Sequence, residues 1–240
     1  MDSGVKFGFS KRLITIVPKI RYKIGMTTSN YLAVFDWNST LFDDVQAMYQ
    51  ATNECLAVFD IAPMSLAEQQ EIFSFPLTDF YEKAGIKTED YLKNTQMLSD
   101  VFHTKYDELK KECSLMKGAR EALDFCSQNQ MHMIILSNYN QEPLEKDVAR
   151  FDLNPYFDAI LGNQDYEAIT SHTNKYERLR DYMKQHGFVP NKTFIIGDSH
   201  EEPELAHQLD ILGISMAGAV SYTHLRAHRD GLLSRMPSSA

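Results

Sequence analysis

A chain of 240 residues, 43% hydrophobic and 24% charged, has the length and balance of a soluble globular protein with one good-sized domain and room for an insertion. No apolar run approaches the roughly 20 residues that cross a bilayer, so a membrane role has no support. The net charge of −9 is unevenly spread: residues 1–25 carry +5 and residues 221–240 carry +2, leaving −16 between them. A body that acidic repels nucleic-acid backbones, and points to a small phosphorylated metabolite held by a local positive site and a metal.

Residues 1–25 lack a clear helical or strand period. They read as an upstream mis-start or a disordered tail, with a basic presequence as the alternative. The first strand follows at 31–36, Tyr-Leu-Ala-Val-Phe-Asp, and runs straight into a carboxylate and a polar turn, Trp37-Asn38-Ser39-Thr40. From about 45 to 112 the pattern is mainly helical, with Gly85 as its one glycine. Ser65 and Glu68 form a capping box ahead of one helix. Thr88-Glu89-Asp90 opens another, whose apolar positions Tyr91, Met97, Leu98, Val101, Phe102, Tyr106 and Leu109 make one face.

After Gly118 the style changes to alternating helix and strand, which argues for a parallel sheet with crossover helices. Helices are expected at 119–129, near 142–151, at 175–186 and at 202–209. Strands are expected at 131–136, 157–161, 193–197 and 211–216. The fold class is therefore α/β, a doubly wound core at 26–44 and 114–220 with a helical insertion at 45–113. Residues 221–240, entered through Val220-Ser-Tyr-Thr-His-Leu-Arg-Ala-His-Arg229, resemble translated adaptor sequence, which implies a truncated native C-terminus. Cys55, Cys113 and Cys126 are widely spaced and odd in number, which fits reduced thiols and a cytoplasmic protein.

Four polar positions fall at or beyond strand ends or at a helix start: Asp36, Ser137 after Ile-Ile-Leu136, Lys175, and Asp198 in Ile-Ile-Gly-Asp. In an open α/β sheet ligands bind outside the carboxyl ends of the strands. The order and spacing of the four resemble motifs one to four of the haloacid dehalogenase superfamily. The resemblance covers residues 31–216 and places the family's cap domain at the helical insertion. Phe75-Pro-Leu-Thr-Asp-Phe-Tyr81 and Met116-Lys-Gly-Ala-Arg-Glu-Ala-Leu123 look like its phosphoglycolate-phosphatase-like branch.

The resemblance implies a magnesium-dependent phosphatase. Asp36 would be the nucleophile, forming an aspartyl-phosphate. Asp36, Asp198 and the backbone carbonyl of Asn38 would hold Mg²⁺. Thr40, Ser137 and the N–H of Asn138 would bind the phosphoryl group, the last two as donors at a helix N-terminus. Lys175 would balance its charge, and Glu202 would support the metal or Lys175. His200 and Glu201 read as surface loop residues.

One position departs from the family. Asn38 stands where these phosphatases carry a second aspartate, and an amide has no titratable proton for general acid/base work. The loss falls hardest on alkoxide leaving groups and least on acyl or aryl phosphates. Ser39 replaces the glycine usual in this loop, at some cost in positive-φ freedom. A weakly catalytic or non-catalytic phosphate-binding protein is the alternative reading. A phosphonoacetaldehyde hydrolase is disfavoured because no lysine lies between Thr40 and Glu82. A dehalogenase is disfavoured by the metal-site look of Asp198 with Glu202. The oligomeric state is left open.

Overall fold

Leu32–Phe35 form β1, and all four residues are buried. A strand apolar on both sides is what a parallel sheet covered by helices on both faces requires. The computed structural model describes residues 30–74, 76–164 and 174–216. The expectations for residues 1–25 and 221–240 fall outside them.

The remaining strands are β2 (His132–Asn140), β3 (Ala159–Asn163), β4 (Thr193–Gly197) and β5 (Leu212–Ser215). They form one parallel sheet in the order β3-β2-β1-β4-β5. The strand order reverses beside β1, so a crevice opens between the carboxyl ends of β1 and β4.

Side-chain alternation along β1 divides the core. Ala33 and Phe35 join Met133, Ile135 and Phe194 on one face, under Leu123 and Cys126 of α6 (Ala119–Gln128) and Leu144 and Val148 of α7 (Gln141–Arg150). Leu32 and Val34 join Ile134, Leu136 and Ile195 on the other, under Leu179 and Met183 of α8 (Lys175–His186) and Leu205 of α9 (Glu201–Gln208). The α/β expectation holds, and the strands and crossover helices lie close to where the sequence puts them.

Among the described residues between β1 and α6 lie five α-helices: α1 (Val45–Ala57), α2 (Leu66–Ile72), α3 (Leu77–Lys83), α4 (Thr88–Lys93) and α5 (Thr95–Leu109). They carry a core of their own, built on Cys55, Leu56, Phe80, Tyr81, Ile86, Tyr91 and Leu98. Ser65 caps α2 as expected: Ser65 Oγ accepts from Glu68 N at 3.3 Å, and Ser65 N donates to Glu68 Oε2 at 2.6 Å.

The single helix expected from Thr88 is instead two. Asn94, at φ −118° and ψ 17°, leaves the helical region, and its side chain donates to the carbonyl of Asp90 at 2.8 Å. A short polar side chain that competes for a backbone carbonyl breaks the ladder there. Met97, expected on the apolar face, is exposed.

Gly197, the last residue of β4, must be glycine for a packing reason. A Cβ there would collide with Cγ and Cδ of Glu202. Gly197→Ala is expected to lower stability by about 1–3 kcal/mol in urea unfolding, as overpacking does. Ser65→Ala should cost about 1 kcal/mol through loss of the cap. An unchanged midpoint for Gly197→Ala would contradict the packing argument.

Candidate active site

β1 and β4 deliver two carboxylates side by side. Asp36 directly follows β1 and donates its N–H to the carbonyl of Ile196 at 2.9 Å, while Asp198 directly follows Gly197. The chain then turns sharply, with Leu41 N and Phe42 N donating to Trp37 O at 2.9 and 3.0 Å. This turn puts Thr40 Oγ1 between the carboxylates, 3.4 Å from Asp36 Oδ2 and 3.4 Å from Asp198 Oδ1.

Lys175 is the first residue of α8 and only 3% exposed. Its Nζ lies 2.9 Å from Asp36 Oδ1, 2.8 Å from Glu202 Oε1 and 3.3 Å from Glu201 Oε2. Both glutamates stand in the first turn of α9, where negative charge complements the helix dipole. Glu202 also accepts from Ser199 Oγ at 2.7 Å and Ser199 N at 3.2 Å.

These contacts set the charges. Burial opposes the Lys175 ammonium, but Asp36, Glu201 and Glu202 outweigh it and hold the amine well above its usual range. Burial likewise opposes the Glu202 carboxylate, and Lys175 overcomes it, leaving Glu202 below its usual range. Asp36 is pushed up to about 7, by burial against the pull of Lys175, with the charge of Glu202 adding to the rise. Asp198 reaches about 8, through burial and then repulsion from Asp36 and Glu202. One lysine leaves this carboxylate cluster short of positive charge.

A cation fits that deficit. Among the described residues no group of three or more His, Cys, Asp or Glu side chains is arranged to hold a metal. Magnesium needs no such cage, because it binds through one or two carboxylates and keeps water and phosphate oxygens as its other ligands. Asp36 and Asp198, with the carbonyl of residue 38, are the donors that could hold it. Glu201 Oε1, at the same cleft, is a buried acceptor with no hydrogen-bond partner among the described residues.

Asp36, Asn38, Ser137, Asn138, Lys175 and Asp198 all line one cleft. Thr40 and Glu202 are buried beside it, in contact with Asp36 and Lys175 respectively. Ser137 and Asn138 differ from expectation in setting. β2 continues to Asn140 through a register shift against β3, so α7 begins only at Gln141 and neither residue sits at a helix N-terminus. Ser137 Oγ accepts from Tyr139 N at 3.1 Å. Arg178 fixes this segment, donating from Nη1 to the carbonyls of Ser137 and Leu161 at 2.8 Å each.

Glu201 corrects the surface reading. It is buried, pairs with Lys175, and accepts from Asn138 Nδ2 at 2.8 Å. Arg178 and Asp44 were missed as well. Arg178 had a usable signal, because it stands three residues after Lys175 on the same helix face.

Asp44 anchors the turn that follows β1. It is fully buried, and it accepts from Asn38 Nδ2 at 2.6 Å, from Tyr106 Oη at 2.6 Å and from Ser39 N at 2.9 Å. Burial raises its pKa against these three donors. The bond to Ser39 N accompanies a φ of +57° at that residue, in the left-handed region that favours glycine. Tyr106 belongs to α5, so one carboxylate ties the loop beneath the cleft to a helix of the insertion.

The haloacid dehalogenase-like hydrolase family matches residues 33–216. The chain belongs to that family. No curated protein matches it. Solved structures share the family's fold at low identity. A haloacid dehalogenase-like hydrolase from Streptococcus pneumoniae has 16% identity and TM-score 0.67, over 88% of this chain and 93% of its own. A predicted phosphatase from Clostridium acetobutylicum has 20% identity and TM-score 0.68, over 82% and 90%. A predicted phosphoglycolate phosphatase from Haemophilus somnus has 14% identity and TM-score 0.63, over 83% and 90%.

Within this family member, the Asp44 to Tyr106 bond lies out of water and one partner is a carboxylate. Tyr106→Phe is expected to cost about 1.5–3 kcal/mol, the worth of a hydrogen bond to a charged group. The midpoint of urea unfolding should fall at constant slope; no shift would show that Asp44 does not hold α5.

Proposed function

We propose that this hydrolase is a magnesium-dependent phosphatase of a small phosphorylated metabolite, with Asp36 as nucleophile. The observation that carries the reading is the meeting of Asp36, Asp198 and Lys175 at the carboxyl ends of β1 and β4. Phosphoryl transfer calls for little beyond positioning and charge neutralisation. A bound magnesium ion would neutralise phosphate charge and help place its oxygens.

The roles of the residues follow from their places. Lys175 holds Asp36 Oδ1 and opposes the rise that burial imposes on that carboxyl. Asp36 Oδ2, which faces Thr40 and is not the oxygen held by Lys175, is the one that attacks phosphorus. Ser137 and the N–H of Asn138 receive the phosphoryl oxygens, with Arg178 and Glu201 fixing their segment. Glu202 positions Lys175. The helices of residues 45–113 act as a cap on a core formed by 26–44 and 114–220, because α1, α2 and α3 supply the far wall of the cleft. A lid of this kind excludes water and selects substrate. The three free cysteines accord with a cytoplasmic setting.

Asn38 favours a second reading, a phosphate-binding or regulatory protein of negligible turnover. Its amide nitrogen is committed to Asp44 and Tyr106, and it offers no proton to a leaving alkoxide.

Phosphate release with and without Mg²⁺ separates the readings. Turnover should require Mg²⁺ and vanish in Asp36→Asn. Asn38→Asp should raise alkyl phosphate hydrolysis by about 10²- to 10⁴-fold, the usual worth of a general acid/base. Equal and metal-independent rates in all three proteins would sink the phosphatase reading.

A further inference from the structure

The far wall of the cleft is apolar and comes from three helices. Val45, Met48, Tyr49 and Thr52 stand at i, i+3, i+4 and i+7 of α1, so one stripe of that helix faces the cleft. Leu66 of α2, Phe73 just after it and Phe80 of α3 complete the surface. Two amides, Gln69 and Gln70, interrupt this apolar surface, and Gln69 spends its amide nitrogen on Tyr49 O and Asn53 Oδ1.

Positive charge is scarce here. Lys175 is the one lysine or arginine among the described lining residues, and its ammonium is already shared by three carboxylates. Arg178 stands behind the cleft with Nη1 on two backbone carbonyls. Among the described residues a second anionic group on a substrate would meet this wall without a cation to pair with, in a cleft that already holds Glu201. An unpaired charge in such a place is strongly disfavoured.

The leaving oxygen meets a second constraint. Asn38 lines the cleft with its amide nitrogen engaged by Asp44 and Tyr106. The chain thus supplies no proton at residue 38. A phenol, of pKa about 10, departs as its anion far more readily than an alcohol, whose pKa lies nearer the ~15.7 of water.

Resting on the phosphatase reading, we infer that the substrate class is phosphate monoesters of small uncharged phenols, and that carboxylate-bearing esters such as phosphoglycolate are poor substrates. The open cleft has a volume of about 120 Å³ and is lined by Asp36 and Lys175 as well as by the apolar wall, so the phosphoryl group and the organic part share it and the organic part is small. Asp36 attacks phosphorus, and the ester P–O bond breaks with its electron pair leaving on the phenoxide, which takes a proton from solvent. Water then attacks phosphorus, the bond to Asp36 breaks, and the water's surplus proton returns to solvent as orthophosphate leaves.

The test compares kcat/KM for phenyl phosphate and phosphoglycolate with Mg²⁺ present. Phenyl phosphate should be favoured at least about 100-fold, the scale of a few kcal/mol in transition-state binding. Met48→Lys should narrow that ratio at least tenfold by placing a cation in the wall, and Gln70→Arg serves if the first variant does not fold. A phosphoglycolate rate equal to or above that of phenyl phosphate overturns the inference while leaving the phosphatase reading intact. Absence of turnover on both overturns the phosphatase reading. Calorimetry with the same two compounds then decides the specificity separately: tighter binding of phenyl phosphate supports it, and tighter binding of phosphoglycolate refutes it.

Discussion

A single buried ammonium holds this site together. Lys175 reaches Asp36 at the end of β1 and Glu201 and Glu202 at the start of α9, so it joins three elements that have no other reason to meet at a charged point. Breaking a buried ion pair by removing one partner is strongly destabilising, since the other charge is left uncompensated. Gly197 and Ser199 serve the same arrangement: the missing Cβ of one makes room for Glu202, and the hydroxyl of the other steadies it. The remaining charge deficit, felt by Asp36 and Asp198 together, is what suits the crevice to a cation and a phosphoryl group.

The second organising contact lies below the cleft. Asp44 gathers Asn38, Ser39 and Tyr106, and Tyr106 packs edge-on against Tyr139 of β2. Lys110, just beyond α5, extends the link by donating to Tyr139 Oη at 2.9 Å and Asp147 at 3.1 Å. The insertion therefore meets the sheet through a polar network as well as through apolar packing. Residue 38 is part of that network, which gives its amide a structural duty that an acid/base residue would have to share.

Much of this was legible in the sequence because strands of a parallel sheet announce themselves as short apolar runs, and the residue after each run lands at the site. Asp36 and Asp198 followed from that rule, and Lys175 followed from its place at a helix start joined to a family pattern. Glu201 did not. Its role depends on Lys175, 26 residues away, and an acidic first turn of a helix is ordinarily solvated. Asp44 depends on Tyr106, 62 residues away, and looks in sequence like one of two acids ahead of a helix. The helix break at Asn94 and the extension of β2 past Leu136 are decided by local competition for backbone hydrogen bonds, from Asn94 and from pairing with β3. Periodicity does not register either.

On the proposed reading Asp36 takes the phosphoryl group, in a site where the amide of residue 38 supplies no base to the water that removes it. Acid-quenched protein incubated with phenyl phosphate and Mg²⁺ can be digested and its peptides weighed for an added phosphoryl group. The prediction is a hydroxylamine-sensitive acyl phosphate on the peptide containing Asp36. Phosphate release with label on another side chain, or an Asp36→Asn protein that labels equally well, would contradict it.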